Sequence, residues 1–373
     1  MIKSARVRIT DRTRQLMTEA MNIDLLDQGR YTEKLEAELA DWFGVKYAIG
    51  VANGTMADAC ALAAIRYLNE EEKRNEVIVP ALTFIAQINA VYYNHLKPIF
   101  IDACPDGNMD VDQIELKINE KTLAIMPVHL LGRPAKMHKI SELARKYNLF
   151  VVEDACEAMG SLYYGTRVGT LGDVGCFSFY VSHSLATGEG GVVITNNKRI
   201  ADLVRSLRNH GRQSESLEEK FQFPRVGFSA KMNCMEAIIG LGGMDNIDES
   251  LKTRRAHCLT INRLSRIESF CENPGEMIIP HGYPLMVSTN ERRQKLLSVF
   301  TEKYGIEARQ IFSSVPTQSG AYKYLNDQEH HPVAEDIGRR GIYLPCHDGL
   351  STKDLQTIIL AIQQEENLNA FGK

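Results

Sequence analysis

Five short apolar runs, Tyr47–Val51, Glu76–Val79, Pro98–Asp102, Ala124–Val128 and Phe150–Glu153, recur through the first half of the chain with helix-period segments between them. Tyr31–Phe43 places Leu35, Leu39, Trp42 and Phe43 at helical spacing, and Thr55–Tyr67 and Met137–Tyr147 follow the same period. Strands so short and apolar are buried on both faces, so the alternation predicts an α/β fold with a mainly parallel sheet covered on each side by helices. Val174–Ser178 and Gly191–Thr195 add two strands and Lys198–Asn209 a helix, which makes residues 1–245 a large α/β domain. The pattern then changes to a polar helix, Glu249–Ile267, a proline- and glycine-marked stretch, Pro274–Pro284, a helix, Asn290–Tyr304, a strand, Ile306–Arg309, and a helix, Thr352–Gln364. Residues 246–373 read as a smaller α+β domain, and no internal repeat or low-complexity segment interrupts either part.

Composition narrows the function classes. With 373 residues, 44% of them hydrophobic, the chain can bury a large core, and its formal net charge of −4 leaves no basic stripe for nucleic acid. No apolar run reaches membrane-spanning length and the first residues have no signal core, so the expectation is a soluble, cytoplasmic protein without a membrane partner. The eight cysteines are scattered, without the close pairs of a zinc site, and read as buried thiols; His330-His331 reads as solvated surface, and no metal is expected.

Ligands of open α/β sheets collect beyond the carboxyl ends of the strands. Asp154 closes the run Phe150–Val152 and can keep a ring nitrogen protonated, with a helix cap as an equally good account. Asn53-Gly54-Thr55-Met56 leads into a helix whose free amides attract phosphate, although the same residues make an ordinary turn. Phe84 can stack on a flat ring, but a lone Phe is more often core. Glu189 sits between glycines in a tight turn and can equally be a loop carboxylate without a role.

The stretch Cys176–Thr195, CFSFYVSHSLATGEGGVVIT, resembles the DegT/DnrJ/EryC1/StrS sugar aminotransferase family, through Ser178-Phe179 and Gly188-Glu189-Gly190-Gly191. The likeness runs from about Arg30 to the C-terminal helix through VANGTMA, PALTFIAQINAV, MPVHLLGRPAKM, VVEDACEAMGS, RNHGR and IEARQIF. It implies a fold-type I transferase that uses pyridoxal 5'-phosphate (PLP). By that likeness Asp154 pairs with the pyridinium nitrogen and Phe84 stacks on the ring, while Gly54, Thr55, Met56, Ser178 and Ser229 belong to the cofactor site. Glu157 stands near the ring hydroxyl where the family has glutamine. His129, Glu189, Lys231 and Arg309 are the implied substrate contacts, and a homodimer is the implied assembly.

The departures from the family pattern redirect the chemistry. His183, five residues after Ser178, occupies the place of the Schiff-base lysine, and an imidazole forms no stable imine with an aldehyde. Ser229 and Lys231 stand where the family usually has asparagine and arginine, which weakens a phosphate contact normally supplied by a partner subunit. An acid at Glu157, the histidine at His183 and the pair Lys231-Met232 resemble the nucleotide-sugar 3-dehydratase branch, the group of GDP-4-keto-6-deoxymannose 3-dehydratase. Ser184 departs from the second histidine often found there.

The resemblance therefore implies 3-dehydration of a nucleotide-linked 4-keto-6-deoxy sugar. Glutamate serves as amino donor, pyridoxamine 5'-phosphate (PMP) as the working cofactor form and His183 as the base. With no CxCxxC-like run, no iron–sulfur cluster is expected. The rival readings are a nucleotide-sugar aminotransferase, working without its lysine or with that lysine exchanged for His183, and a non-catalytic relative. Retention of Asp154, Ser178 and the Gly-Glu-Gly-Gly loop argues against the last. Asn209–Arg212 and Arg309–Gln318 are further substrate candidates, with surface turns an equal account.

Overall fold

The computed structural model describes residues 1–23, 26–69, 73–214, 216, 219, 221–325 and 329–372. Its strands are β1 (Tyr47–Val51), β2 (Glu76–Pro80), β3 (Lys97–Ile101), β4 (Thr122–Ile125), β5 (Phe150–Asp154), β6 (Leu162–Tyr163), β7 (Thr166–Arg167), β8 (Val174–Ser178), β9 (Gly191–Thr195), β10 (Glu276–Met277), β11 (Tyr283–Val287), β12 (Arg309–Gln310), β13 (Gly341–Leu344) and β14 (Leu368–Ala370). The helices are α1 (Asp11–Asn22), α2 (Arg30–Phe43), α3 (Gly54–Leu68), α4 (Ile85–Tyr93), α5 (Val111–Lys117), α6 (Met137–Tyr147), α7 (Lys198–Leu207), α8 (Cys234–Met244), α9 (Ile247–Ser265), α10 (Asn290–Glu302), α11 (Val315–Gln318), α12 (Pro332–Arg340) and α13 (Thr352–Gln364). None of them is long and apolar enough to cross a membrane.

Seven strands form the central sheet in the order β1-β9-β8-β5-β4-β2-β3. Only β9 runs against its neighbours; the other pairings are parallel, as the alternating sequence predicts. β2 and β9 are buried at every position, and successive residues feed two separate cores. Val77, Val79 and Val193 pack on the α3 side, whereas Ile78, Val192 and Ile194 pack on the other. The first core continues without a break into a four-stranded sheet, β12-β13-β11-β14, formed by the C-terminal part of the chain.

α3 shows why its sequence is rich in small residues. It packs between the sheet and helices α4 and α7, so Ala57, Ala59, Ala61, Ala63 and Ala64 are all buried. Its start is fixed by Asn53, whose Oδ1 accepts from the Met56 amide at 2.9 Å.

The structure differs from the sequence-based expectation in places with physical causes. α8 went unread because its segment, CMEAIIGLGGM, is rich in glycine. Those glycines are packing devices: a Cβ at Gly240 would lie 2.8 Å from Leu35 Cδ2, and one at Gly242 would lie 1.9 Å from Thr13 Oγ1. α1 and α2 cross α8 there. The strand expected at Ile306–Arg309 is displaced to Arg309–Gln310, because Ile306 instead bridges to Ile2. The Ile2 amide donates to Gly305 O and the Glu307 amide to Ile2 O, at 2.6 and 2.9 Å. β11 was hidden in the stretch marked by prolines; Pro284 lies inside it, opposite Tyr343 of β13.

The start of β9 presses on the loop before α3. A Cβ at Gly191 would lie 2.7 Å from Asn53 C and O and 2.8 Å from Phe177 O, all backbone atoms. Gly191→Ala is therefore expected to destabilise the fold by about 2 kcal/mol. Urea unfolding checks this: the midpoint should fall while the slope stays unchanged.

Candidate active site

The carboxyl ends of β5 and β8 and the first turn of α3 open onto one cavity of about 430 Å³. Gly54 and Thr55 line it from α3, Asp154 and Glu157 from the end of β5 and the turn after it, and Ser178 from β8. Phe84, His183, Glu189 and Arg309 complete the set of sequence-predicted residues in its wall. Met56, His129, Ser229 and Lys231 are not in that wall. Met56 packs against the core. The His129 ring is fully buried, with Nε2 3.0 Å from Glu153 Oε2 and Nδ1 accepting from the Ala135 amide at 2.9 Å, which holds it away from the cavity. Ser229 bridges to Asn209, and the Lys231 ammonium donates to Asn209 Oδ1 at 3.4 Å.

One end of the cavity is built for an anion. A Cβ at Gly54 would come within 2.6 Å of Ser178 Cβ, so the first turn of α3 sits tightly beside the Ser178 hydroxyl. The first amides of a helix have no partner within it, and they carry the positive end of the helix dipole. Asp154 lies in the same cavity, nearly sealed, with Oδ1 accepting from the Cys156 amide at 3.2 Å. Burial pushes its carboxyl up; the Cys156 hydrogen bonds and the nearby His129 oppose that shift. Phe84 stands exposed against Phe312, ring centroids 5.3 Å apart, and Arg309 is held by Glu307 through Nε at 3.0 Å and Nη2 at 2.6 Å. Glu189 is exposed in a turn whose flanking Gly188 and Gly190 have φ of 97° and 136°, conformations that require glycine.

Around His183 burial works against charge on the imidazoles and the nearby acid. The His183 Nδ1 is buried with no hydrogen-bond partner, and burial together with the Arg254 cation pushes the imidazolium down to about 3. His281, which the sequence reading passed over, lies with its ring centroid 5.0 Å from that of His183. Burial and the neighbouring His183, Arg254 and Arg309 push it well down too. Glu157 accepts from the Leu131 amide at 2.7 Å, yet burial, aided by Asp154, pushes it up to about 8. Its Oε1 stands 3.6 Å from His281 Nε2. By distance that contact is an ion pair, but opposed shifts on the two groups make it a protonated acid beside a neutral imidazole near pH 7. The missed wall residues had signals: His281 is the one imidazole in the apolar IIPHGYPLMV segment, and Asp58 is a charge inside the otherwise apolar helix ADACALAAI.

Residues 7–363 match the DegT/DnrJ/EryC1/StrS aminotransferase family. The chain belongs to this family. It is similar to a GDP-perosamine synthase of Escherichia coli O157:H7, 35% identical over 95% of this chain and 96% of that one. Among solved structures, Helicobacter pylori PseC, an aminotransferase involved in the biosynthesis of pseudoaminic acid, superposes with a TM-score of 0.87 at 25% identity, covering 97% and 98% of the two chains. A GDP-4-keto-6-deoxymannose-3-dehydratase, ColD, superposes with a TM-score of 0.88 at 22% identity, over 97% of this chain and 100% of that one. The family is one of PLP-dependent, sugar-modifying enzymes with the α/β fold described above. The cavity fits such a cofactor: it offers an acid for the ring nitrogen in Asp154 and, at α3 and Ser178, a cradle that even one Cβ would fill.

The Glu157 proton yields a pH prediction. Its carboxyl titrates near 8 when folded against 4.5 ordinarily, so the folded chain holds a proton that the unfolded chain has lost. Stability contributed by this group is full below about pH 4.5 and falls as pH rises to about 8, by at most ~1.4 kcal/mol per pH unit. Glu157→Gln removes that dependence. Urea unfolding of both proteins across this range should show the wild type losing stability relative to E157Q as pH rises.

Proposed function

We propose that this chain removes the C3 hydroxyl from a nucleotide-linked 4-keto-6-deoxy sugar, with PLP/PMP as cofactor and glutamate as amino donor. The observation that carries the reaction type is His183. It stands in the cavity where the likeness to the family puts a lysine, and among the described residues no lysine lines that cavity. Without a primary amine in reach, no side chain there can hold the cofactor aldehyde covalently.

When bound, the cofactor supplies an electron sink conjugated to the sugar carbon beside the leaving hydroxyl. His183, whose buried Nδ1 has no hydrogen-bond partner, would accept the proton whose removal starts the elimination and return it to the departing hydroxyl, which would leave as water. Asp154 keeps the pyridine nitrogen protonated. Glu157, carrying its own proton, donates to the ring hydroxyl oxygen as the family's glutamine amide would. The Ser178 hydroxyl and the amides of Gly54 and Thr55 hold the phosphate. Phe84 would stack on the ring, and Arg309 and Glu189 would meet the nucleotide sugar. Ser229 and Lys231, outside their own cavity, belong in this reading to the site of a partner subunit in a homodimer.

We assign GDP as the nucleotide on the strength of the name of the E. coli relative. That same name favours a second reading, transfer of an amino group to the keto carbon of the same substrate class, and the family's aminotransferase members support it further. Purified protein incubated with PLP, glutamate and a GDP-linked 4-keto-6-deoxy sugar separates the two. Dehydration predicts a sugar that has lost one oxygen, with ammonia and 2-oxoglutarate formed; a stable amino sugar would replace it with amination. In parallel, borohydride treatment is expected to leave the wild type free of attached PLP and to fix PLP covalently to the His183→Lys variant, as read by intact mass.

A further inference from the structure

Asp58 has no assigned part in the chemistry above, yet it lines the same cavity. It lies one turn into α3, is 1% exposed, and its Oδ1 has no hydrogen-bond partner. Its carboxylate, that of Asp154 and the Cys156 sulfur have atoms all within 4.8 Å of one another, a gap that one water or a small side-chain rotation spans. Burial and the Asp154 charge push Asp58 well up, and burial pushes Asp154 up as well. The Cys156 and Cys176 thiols, pushed well up by burial and by both carboxylates, stay protonated. Two carboxylates this close in a dry site do not both ionise.

We infer that Asp58 is a positioning residue that keeps its proton and donates it to Asp154, so that the two carry a single negative charge directed at the pyridine nitrogen. The inference rests on the cofactor reading given above. A carboxylate that receives a hydrogen bond from a neighbouring acid is a weaker base. Asp154 supported in this way leaves the shared proton on the nitrogen; without Asp58, its charge is less stabilised and the proton moves toward the carboxylate. Asp58 thus acts on the cofactor's protonation state through Asp154, with no need to touch the sugar.

The test uses the full chain reconstituted with PMP, reading affinity by fluorescence and nitrogen protonation by the ¹⁵N signal of PMP labelled in the ring. Asp58→Asn keeps a neutral donor, so its affinity should stay within about threefold of wild type and its nitrogen signal should stay at the protonated position. Asp58→Leu removes the donor; its affinity should fall by about tenfold or more and its signal should move toward the unprotonated position. A D58N loss as large as that of D58L would mean that Asp58 carries the charge itself, and would overturn the inference. So would a D58L protein identical to wild type, or a metal ion retained by wild type through dialysis and lost from D58N. Should D58L not fold, the D58N arm still decides between a neutral donor and a charge. Wild-type protein that binds neither PLP nor PMP would fail at an earlier point, the functional reading itself.

Discussion

The end of β5 is where the fold and the chemistry depend on the same alternation. Glu153 and Asp154 are neighbours on one strand and so face opposite ways. Glu153, fully buried, accepts from the Gly169, Leu171 and Gly172 amides at 2.7, 2.7 and 2.5 Å and lies 3.0 Å from His129 Nε2. That cluster ties the loop before β8 and the turn after β4 to one carboxylate, and it fixes the strand in register. Asp154 is thereby delivered to the cavity. A slip of one residue would exchange the anchor and the site residue, so satisfying the buried Glu153 is also what aims Asp154.

Burial works against charge on most of the titratable groups in the cavity. Burial raises Glu157, Asp58 and Asp154 and lowers His183 and His281, and a source of positive potential remains in Arg254. That guanidinium is nearly sealed and donates to the Pro280 and His281 carbonyls at 3.2 and 3.1 Å. A space with few anionic side chains and a buried cation nearby suits ligands that bring their own negative charge, as a phosphate-bearing cofactor and a nucleotide diphosphate sugar both do.

Much of the central sheet was legible because its strands are short, mainly apolar and separated by helices of clear period; β1, β8, β9 and α13 fall where the pattern puts them. What escaped was structure made by contacts distant in sequence. The glycines of α8 give no helical signal of their own, and their role shows only where α1 and α2 lie against them. Nothing in the sequence pairs His281 with His183, whose ring the fold brings within 5.0 Å of it. His129 was misplaced for the same reason: its position after β4 is right for a cavity residue, and only the buried Glu153 shows that the ring is engaged elsewhere. Glu157 was legible as a departure from the family pattern, but its protonation is a property of burial, which sequence does not report.

The first residues of the chain brace its far end. Ser4 donates to Glu307 through its amide and its hydroxyl at 3.1 and 2.9 Å, Arg8 pairs with Asp348 at 2.6 Å, and Glu307 in turn holds Arg309 at the cavity. During synthesis, residues 2–8 leave the ribosome some 300 residues before the partners that fix them. The arginine facing the cavity can therefore take its final position only after translation has passed residue 309, when Ser4 and Glu307 are both free to pair.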